Sequence, residues 1–210
     1  MRGGPIRIVV TGGPGGGKTT GADMIGREFP DRVVVLKETA TILFGGGFPR
    51  TGGVAARRAC QRAIYRTQVE LEEAVAAENP GKVLLCDRGT LDGCAYWPDG
   101  PDEFFAALGT TPEGERARYY AAIFFETAAA GGLEMDRRNP FRIESSADAA
   151  KLDQALRAVW AEHPRFYLVQ HNRSFFAKVE EAIGIFRKLF DEIARARPGA
   201  APAPENRSAP

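Results

Sequence analysis

Residues 6–20 read IRIVVTGGPGGGKTT. A short apolar run from Ile6 to Val10 stops at Thr11. The next seven residues, Gly12, Gly13, Pro14, Gly15, Gly16, Gly17 and Lys18, include five glycines, and Thr19 and Thr20 open a helical pattern. Gly12, four residues, Gly17, Lys18, Thr19 is a full match to G-x-x-x-x-G-K-[ST], in the strand–loop–helix setting that gives the pattern its meaning. The loop must wrap closely around phosphate oxygens and offer them successive backbone N–H groups, and a Cβ would block the approach or the dihedrals it needs. The helix that starts near Lys18 adds the partial positive charge of its N-terminus. The run Gly12–Thr20 is therefore expected to bind a nucleoside triphosphate, with Lys18 on the outer phosphates and the Thr19 hydroxyl on Mg²⁺. A glycine-rich linker is the plain alternative, but a linker has no reason to follow a β-branched strand and end in Lys-Thr-Thr.

Composition narrows the classes. At 210 residues the chain favours one domain, expected over 1–194, with a Pro- and Ala-rich tail at 195–210 read as disordered. The net charge of +1 argues against a general nucleic-acid or anionic-membrane surface. Three scattered cysteines and two histidines suit neither a disulfide framework nor a zinc site, and point to a reducing cytoplasm. The early apolar run is too short for a secretory signal, and nothing approaches the ~18–20 apolar residues that span a bilayer.

Outward from the loop, apolar runs at Val33–Leu36, Val83–Cys86, Ala121–Phe125 and Arg165–Val169 read as buried strands. Helical patterns occupy Lys18–Phe29, Val54–Glu78, a stretch opened by Ser145-x-x-Asp148, and Phe176–Ile193. Gly45–Gly53 reads as flexible, and Trp97–Gly114 as a loop with room for a short helix at Glu103–Leu108. Strands alternating with helices predict an α/β fold with a mainly parallel, about five-stranded sheet covered on both faces. Ligands in such sheets bind beyond the carboxyl ends of the strands, which gathers Gly12–Thr19, Glu38 and Asp87-Arg88 at one edge.

Several residues there could carry chemistry. Asp87 ends the strand VLLCD, where a carboxylate holds Mg²⁺ beside the loop threonine; a capping or turn Asp is the alternative. Arg88 could clamp a substrate oxygen or phosphate, or serve a structural ion pair. Glu38, in LKETAT, could accept a hydroxyl proton, or be a surface Glu beside Lys37. Arg58, Arg62 and Arg66 recur every four residues, and a solvated face pairing with acidic neighbours is the favoured reading over an anion-binding stripe. Arg137, Arg138 and Arg142 flank Asn139-Pro140 and would suit a lid neutralising transition-state charge; an ordinary basic loop is the alternative. Tyr96 and Trp97 could line an acceptor pocket or be simple core. His163, before Pro164, fits a capping role better than catalysis.

With these pieces placed, the chain resembles the nucleoside/nucleotide-kinase branch of P-loop proteins. The nearest likeness is to the AAA-type domain shared by the kinase portion of bacterial NadR proteins and the animal Ttd14 protein. TGGPGGGKTT, KETAT to GGGFPR, LLCDRGTLDG, NPFRIE and WAEHPRFYLVQ carry it. The resemblance implies a P-loop NTPase fold, Lys18 and Thr19 on nucleotide and Mg²⁺, Asp87 at the metal, Glu38 and Arg88 facing the acceptor, and Arg137 and Arg142 on a lid. The expected activity is Mg²⁺-dependent phosphoryl transfer from ATP to a small hydroxyl acceptor. A nucleotide-dependent switch, with GTP as alternative ligand, competes with it, and a plain ATPase component of a larger assembly is a third reading. A regulatory GTPase would carry D-x-x-G, yet Asp87 is followed by Arg-Gly-Thr; Ala150-Lys151-Leu152-Asp153 is the nearest to a base-reading N-K-x-D and lies inside a helical pattern.

Overall fold

The computed structural model describes residues 4–50, 52–127, 146–172 and 174–196. Five strands form its centre: β1 (Ile6–Thr11), β2 (Val33–Leu36), β3 (Val83–Asp87), β4 (Ala121–Phe125) and β5 (Phe166–Val169). They make one sheet in the order β2-β3-β1-β4-β5, and every pairing is parallel. Parallel neighbours cannot be joined by tight hairpins, so crossovers carry helices onto the sheet and bury both faces. The helices are α1 (Lys18–Glu28), α2 (Thr39–Gly45), α3 (Val54–Glu78), α4 (Pro101–Leu108), α5 (Pro112–Ala117), α6 (Ser146–Trp160) and α7 (Phe175–Ala196). A 3₁₀ segment, Thr90–Tyr96, follows β3.

The two-residue period of a strand sorts the apolar runs between two cores. Ile8, Val10, Val83, Leu85, Ile123 and Phe125 pack with Ala22 and Ile25 of α1 and Phe186, Leu189 and Phe190 of α7. Val9, Leu84, Cys86 and Ala122 face the other way, onto Tyr65 of α3, Leu91, Phe104 and Trp160. The second side also buries charge. Glu72 of α3, wholly buried, accepts from Arg118 Nη2 at 2.6 Å and Tyr119 Oη at 2.7 Å, and pairs with Arg7 Nε at 3.1 Å. These partners from outside α3 tie the helix to β1 and to the segment that leads into β4, because a buried carboxylate without them would be a desolvated, unpaired charge.

The strands lie where the apolar runs predict, and the departures cluster after β2 and β3. The glycine-rich stretch is preceded by a helix, α2, that alternation of apolar residues does not announce over so few residues. Trp97–Gly114 is not mainly loop, since Pro101 and Pro112 each sit in the first turn of a helix. Proline's missing N–H would have no partner there, and its fixed φ is already helical. Thr111 caps α5 by accepting from Gly114 N at 3.1 Å, and α4 ends on Gly109 at φ 68°. α7 continues through Ala196, two residues into the stretch read as tail, and residues 197–210 lie outside those described. So do Arg137, Arg138 and Arg142. No helix among the described residues is long and apolar enough to cross a membrane.

Candidate functional site

β1 runs through the middle of the sheet and ends in the loop 12–17, which hands over to α1 at Gly17, φ 84°. Gly12 and Gly15 also have positive φ, 132° and 81°. Tertiary contacts grip the loop from behind. Asp153 Oδ1, from α6, accepts from Gly13 N at 2.7 Å and Thr127 N at 3.1 Å. Thr127 Oγ1 donates to Pro14 O at 2.5 Å, and Lys178 Nζ, from the first turn of α7, donates to Gly16 O at 2.9 Å. Asp153, the acid of the N-K-x-D-like stretch, thus spends its carboxylate on the phosphate loop itself. The stretch lies within α6, as its helical pattern predicts, and the role of Asp153 arises only from the tertiary fold.

Lys18 is buried, and its Nζ donates to Gly13 O at 2.7 Å. Burial pulls its pKa down to about 7, helped by Arg88 and opposed by Asp87, Glu38 and Asp92. An anion beside Nζ would restore the ammonium, which is the state a phosphate-binding lysine needs.

Asp87 comes to the loop through the sheet register, in which Val10 of β1 stands beside Asp87 of β3. Thr19 Oγ1 donates to its Oδ2 at 2.6 Å. Its other oxygen, Oδ1, is buried and takes no hydrogen bond. Burial raises the carboxyl's pKa, with the Thr19 bond and Lys18 working against it. An orphaned carboxylate oxygen beside a hydroxyl fits a divalent cation. Among the described residues no cluster of three or more His, Cys, Asp or Glu could hold a metal. The two oxygen donors of Thr19 and Asp87 fit the needs of Mg²⁺, which takes one or two protein ligands and completes its shell with water and phosphate oxygens.

Arg88 and Glu38 stand near enough to the loop to act on Lys18. Arg88 has φ 75°, the only positive value outside glycine among the described residues. Its Nε donates to Glu38 Oε1 in a short ion pair, and its Nη1 to Asp92 Oδ2 at 3.1 Å. Glu38, the residue before α2, also accepts from Thr41 Oγ1 at 2.5 Å. Burial pushes the Glu38 carboxyl up, but Arg88, Thr41 and Lys18 together outweigh it and hold it at about 2. A folded-state pKa below the ordinary 4.5 contributes stability that is complete above that value and is lost as pH falls through about 2. Wild-type protein is accordingly expected to lose stability more steeply than Glu38→Gln between pH 4.5 and 2, measured by urea unfolding at stepped pH. Parallel curves would contradict the pairing.

Asp92 belongs to the candidate site although no motif in the sequence points to it. It is buried in the 3₁₀ segment and accepts from Thr11 Oγ1 at 2.9 Å, Trp160 Nε1 at 2.8 Å and Arg88. Thr11 ends β1 and Trp160 ends α6, so one carboxylate ties the phosphate-loop strand to the Arg88 guanidinium. The only signal in TLDGCAY is an acid five residues after Asp87, with no periodicity to place it.

The remaining candidates divide. Tyr96 and Trp97 both line the cavity described below, and Trp97 also packs edge-on against Phe104. Arg58 pairs with Asp99 at 2.7 Å and Glu103 at 2.8 Å, while Arg62 and Arg66 are exposed, the pattern of a solvated face. His163 Nδ1 accepts from Arg165 N at 3.0 Å, so Nε2 carries the proton toward Tyr119 O at 2.9 Å, and the ring is structural.

Loop and clamp open on one cavity of about 550 Å³. Its lining includes Pro14, Lys18 and Thr19 of the loop and α1, the Glu38–Arg88 pair, and the aromatic side chains Phe44, Tyr65, Tyr96 and Trp97. A search among curated proteins finds no match. The family model described as AAA domain matches residues 7–177, from the start of β1 into the first turn of α7. That span holds every group placed around the cavity, and the chain belongs to the AAA-domain family, as an AAA-type P-loop NTPase-like domain.

Proposed function

We propose that this protein is a Mg²⁺-dependent phosphotransferase that moves the γ-phosphoryl group of ATP to a hydroxyl of a small molecule. The observation that supports this reading is the shared cavity, which the phosphate loop and the Glu38–Arg88 pair line together. Aromatic side chains in the same cavity, Phe44, Tyr65, Tyr96 and Trp97, give a small acceptor a surface to pack against near the phosphate loop. The likeness to the NadR kinase portion points the same way.

In this reading Lys18 and the loop amides hold the β- and γ-phosphates. Mg²⁺ at Thr19 and Asp87 would neutralise charge across the same phosphates. Glu38, ionised at neutral pH, accepts the proton of the acceptor hydroxyl. That oxygen bonds to the γ-phosphorus as the bond to the bridging oxygen breaks, and ADP leaves. Arg88 donates toward the transferring oxygens, where a fixed guanidinium is worth more than a mobile one. Three free, buried cysteines fit the reducing cytoplasm in which such an enzyme would work.

The test is release of ADP against a panel of nucleosides and small alcohols, with Lys18→Ala as the control. Acceptor-dependent turnover that Lys18→Ala abolishes is the expected result. Tight ATP binding with no acceptor-dependent turnover would overturn the proposal in favour of a nucleotide-dependent switch, whose preference competition between ATP and GTP would then define.

A further inference from the structure

α3 forms part of the cavity wall, and Gln68 on it is 3% exposed. A buried primary amide is costly unless all of its hydrogen-bonding groups are used. Here they are used on both sides of the clamp. Gln68 Oε1 accepts from the hydroxyl of Thr39, the first residue of α2 and the neighbour of Glu38. Gln68 Nε2 donates to the main-chain carbonyl of Arg88 at 3.3 Å and to Glu72 Oε1 at 3.0 Å. The Arg88 carbonyl belongs to the residue whose left-handed backbone, φ 75°, is strained for any residue but glycine. Strain of that kind persists only where surrounding contacts over-determine it. Glu72 is in turn fixed by Arg7, Arg118 and Tyr119, so the amide, which lines the cavity, is anchored through Glu72 to the interior.

We infer that Gln68 is the positioning residue of the clamp, setting the start of α2 and the backbone of Arg88 at a fixed separation so that Glu38 and Arg88 meet across the cavity. The catalytic meaning of that role rests on the phosphotransfer reading; the positioning itself does not. Only an amide meets the requirement, because it accepts a hydroxyl proton with one atom and donates two bonds with the other. Glutamate would set a second carboxylate against Glu72 and lone pairs against the Arg88 carbonyl. Methionine would fill the space and make none of the bonds.

Nitrogen-15 NMR of the Arg88 Nε–H, assigned by its loss in Arg88→Lys, separates the two questions. In wild-type protein this proton, shared with Glu38, is expected to exchange slowly with solvent. In Gln68→Met, and in Thr39→Val, it is expected to exchange at least tenfold faster while the amides of β1 and β3 keep their protection, which a general loosening would not allow. With an acceptor in hand, kcat is expected to fall at least tenfold and the KM for ATP to move less than twofold, since the phosphate loop is untouched. Unchanged Nε–H exchange in the variants overturns the inference. Faster exchange in variants of a protein that turns over no acceptor would uphold the positioning and defeat the phosphotransfer reading. Should Gln68→Met not fold, Thr39→Val decides through the Glu38 arm alone.

Discussion

Gly12→Ala is expected to destabilise the protein by roughly 3–5 kcal/mol, combining overpacking with backbone strain. A Cβ on Gly12 would lie 2.2 Å from the Phe125 carbonyl oxygen, 3.0 Å from its carbon and 3.2 Å from its nitrogen. All three are backbone atoms of β4, paired on one side to β1 and on the other to β5, and they cannot swing aside as a side chain would. The φ of 132° adds strain of its own. Gly109 provides the comparison, with φ 68° and nothing within 4 Å of an added Cβ. Gly109→Ala should therefore cost only the left-handed backbone term, about 1–2 kcal/mol. Urea unfolding of both variants measures the difference. A Gly12→Ala loss no larger than that of Gly109→Ala would mean that the loop is not seated on Phe125. Since total stability is commonly 5–15 kcal/mol, the Gly12 change takes a large share of it.

That expectation alters what the glycine run means. Read from sequence, the five glycines answer to the ligand, which must come close to the backbone. The fold adds a demand from behind. A Cβ on Gly16 would meet the same Phe125 oxygen at 2.6 Å, one on Gly13 the Asp153 carboxylate at 2.6 Å, and one on Gly17 the Phe175 ring at 2.5 Å. The loop is squeezed between phosphate and protein, and only the first half of that constraint is local.

The same division explains what was legible elsewhere. The strands are mainly apolar runs, interrupted by Arg7 within β1 and closed by Thr11 and Asp87 at the ends of β1 and β3, so β1 to β5 could be read directly. Glu38 and Asp87 followed from strand ends and the rule that parallel sheets bind ligands there. α2 and the 3₁₀ segment are too short to show a period, and the prolines opening α4 and α5 look like breaks until the turn they begin is seen. Asp92, Gln68 and Asp153 escaped for a different reason. Each acts through bonds to residues dozens of positions away, and no spacing within the chain records such a meeting.

Asp87→Asn separates function from stability more sharply than any other change in the site. The carboxylate is 2% exposed, with one oxygen bonded to Thr19 and the other to nothing. A buried charge left unsatisfied in this way is a cost to the fold, which is why its pKa is driven up. Asparagine keeps the shape and the acceptor for Thr19 while removing the charge, so unfolding stability is expected to hold or rise. The effect on the nucleotide should run the other way. Calorimetric titration is expected to show that MgCl₂ tightens ATP binding to wild-type protein and leaves binding to Asp87→Asn where it is without the metal. Turnover should fall by about 10²–10³, the scale on which one preorganised electrostatic group acts. If Asp87→Asn loses stability and keeps its Mg²⁺ response, the acid is a structural member of the β3 turn and Thr19 holds the cation without it. Rising stability with a lost Mg²⁺ response is the signature of a residue kept against the interest of the fold, because the ligand supplies the partner that the protein withholds.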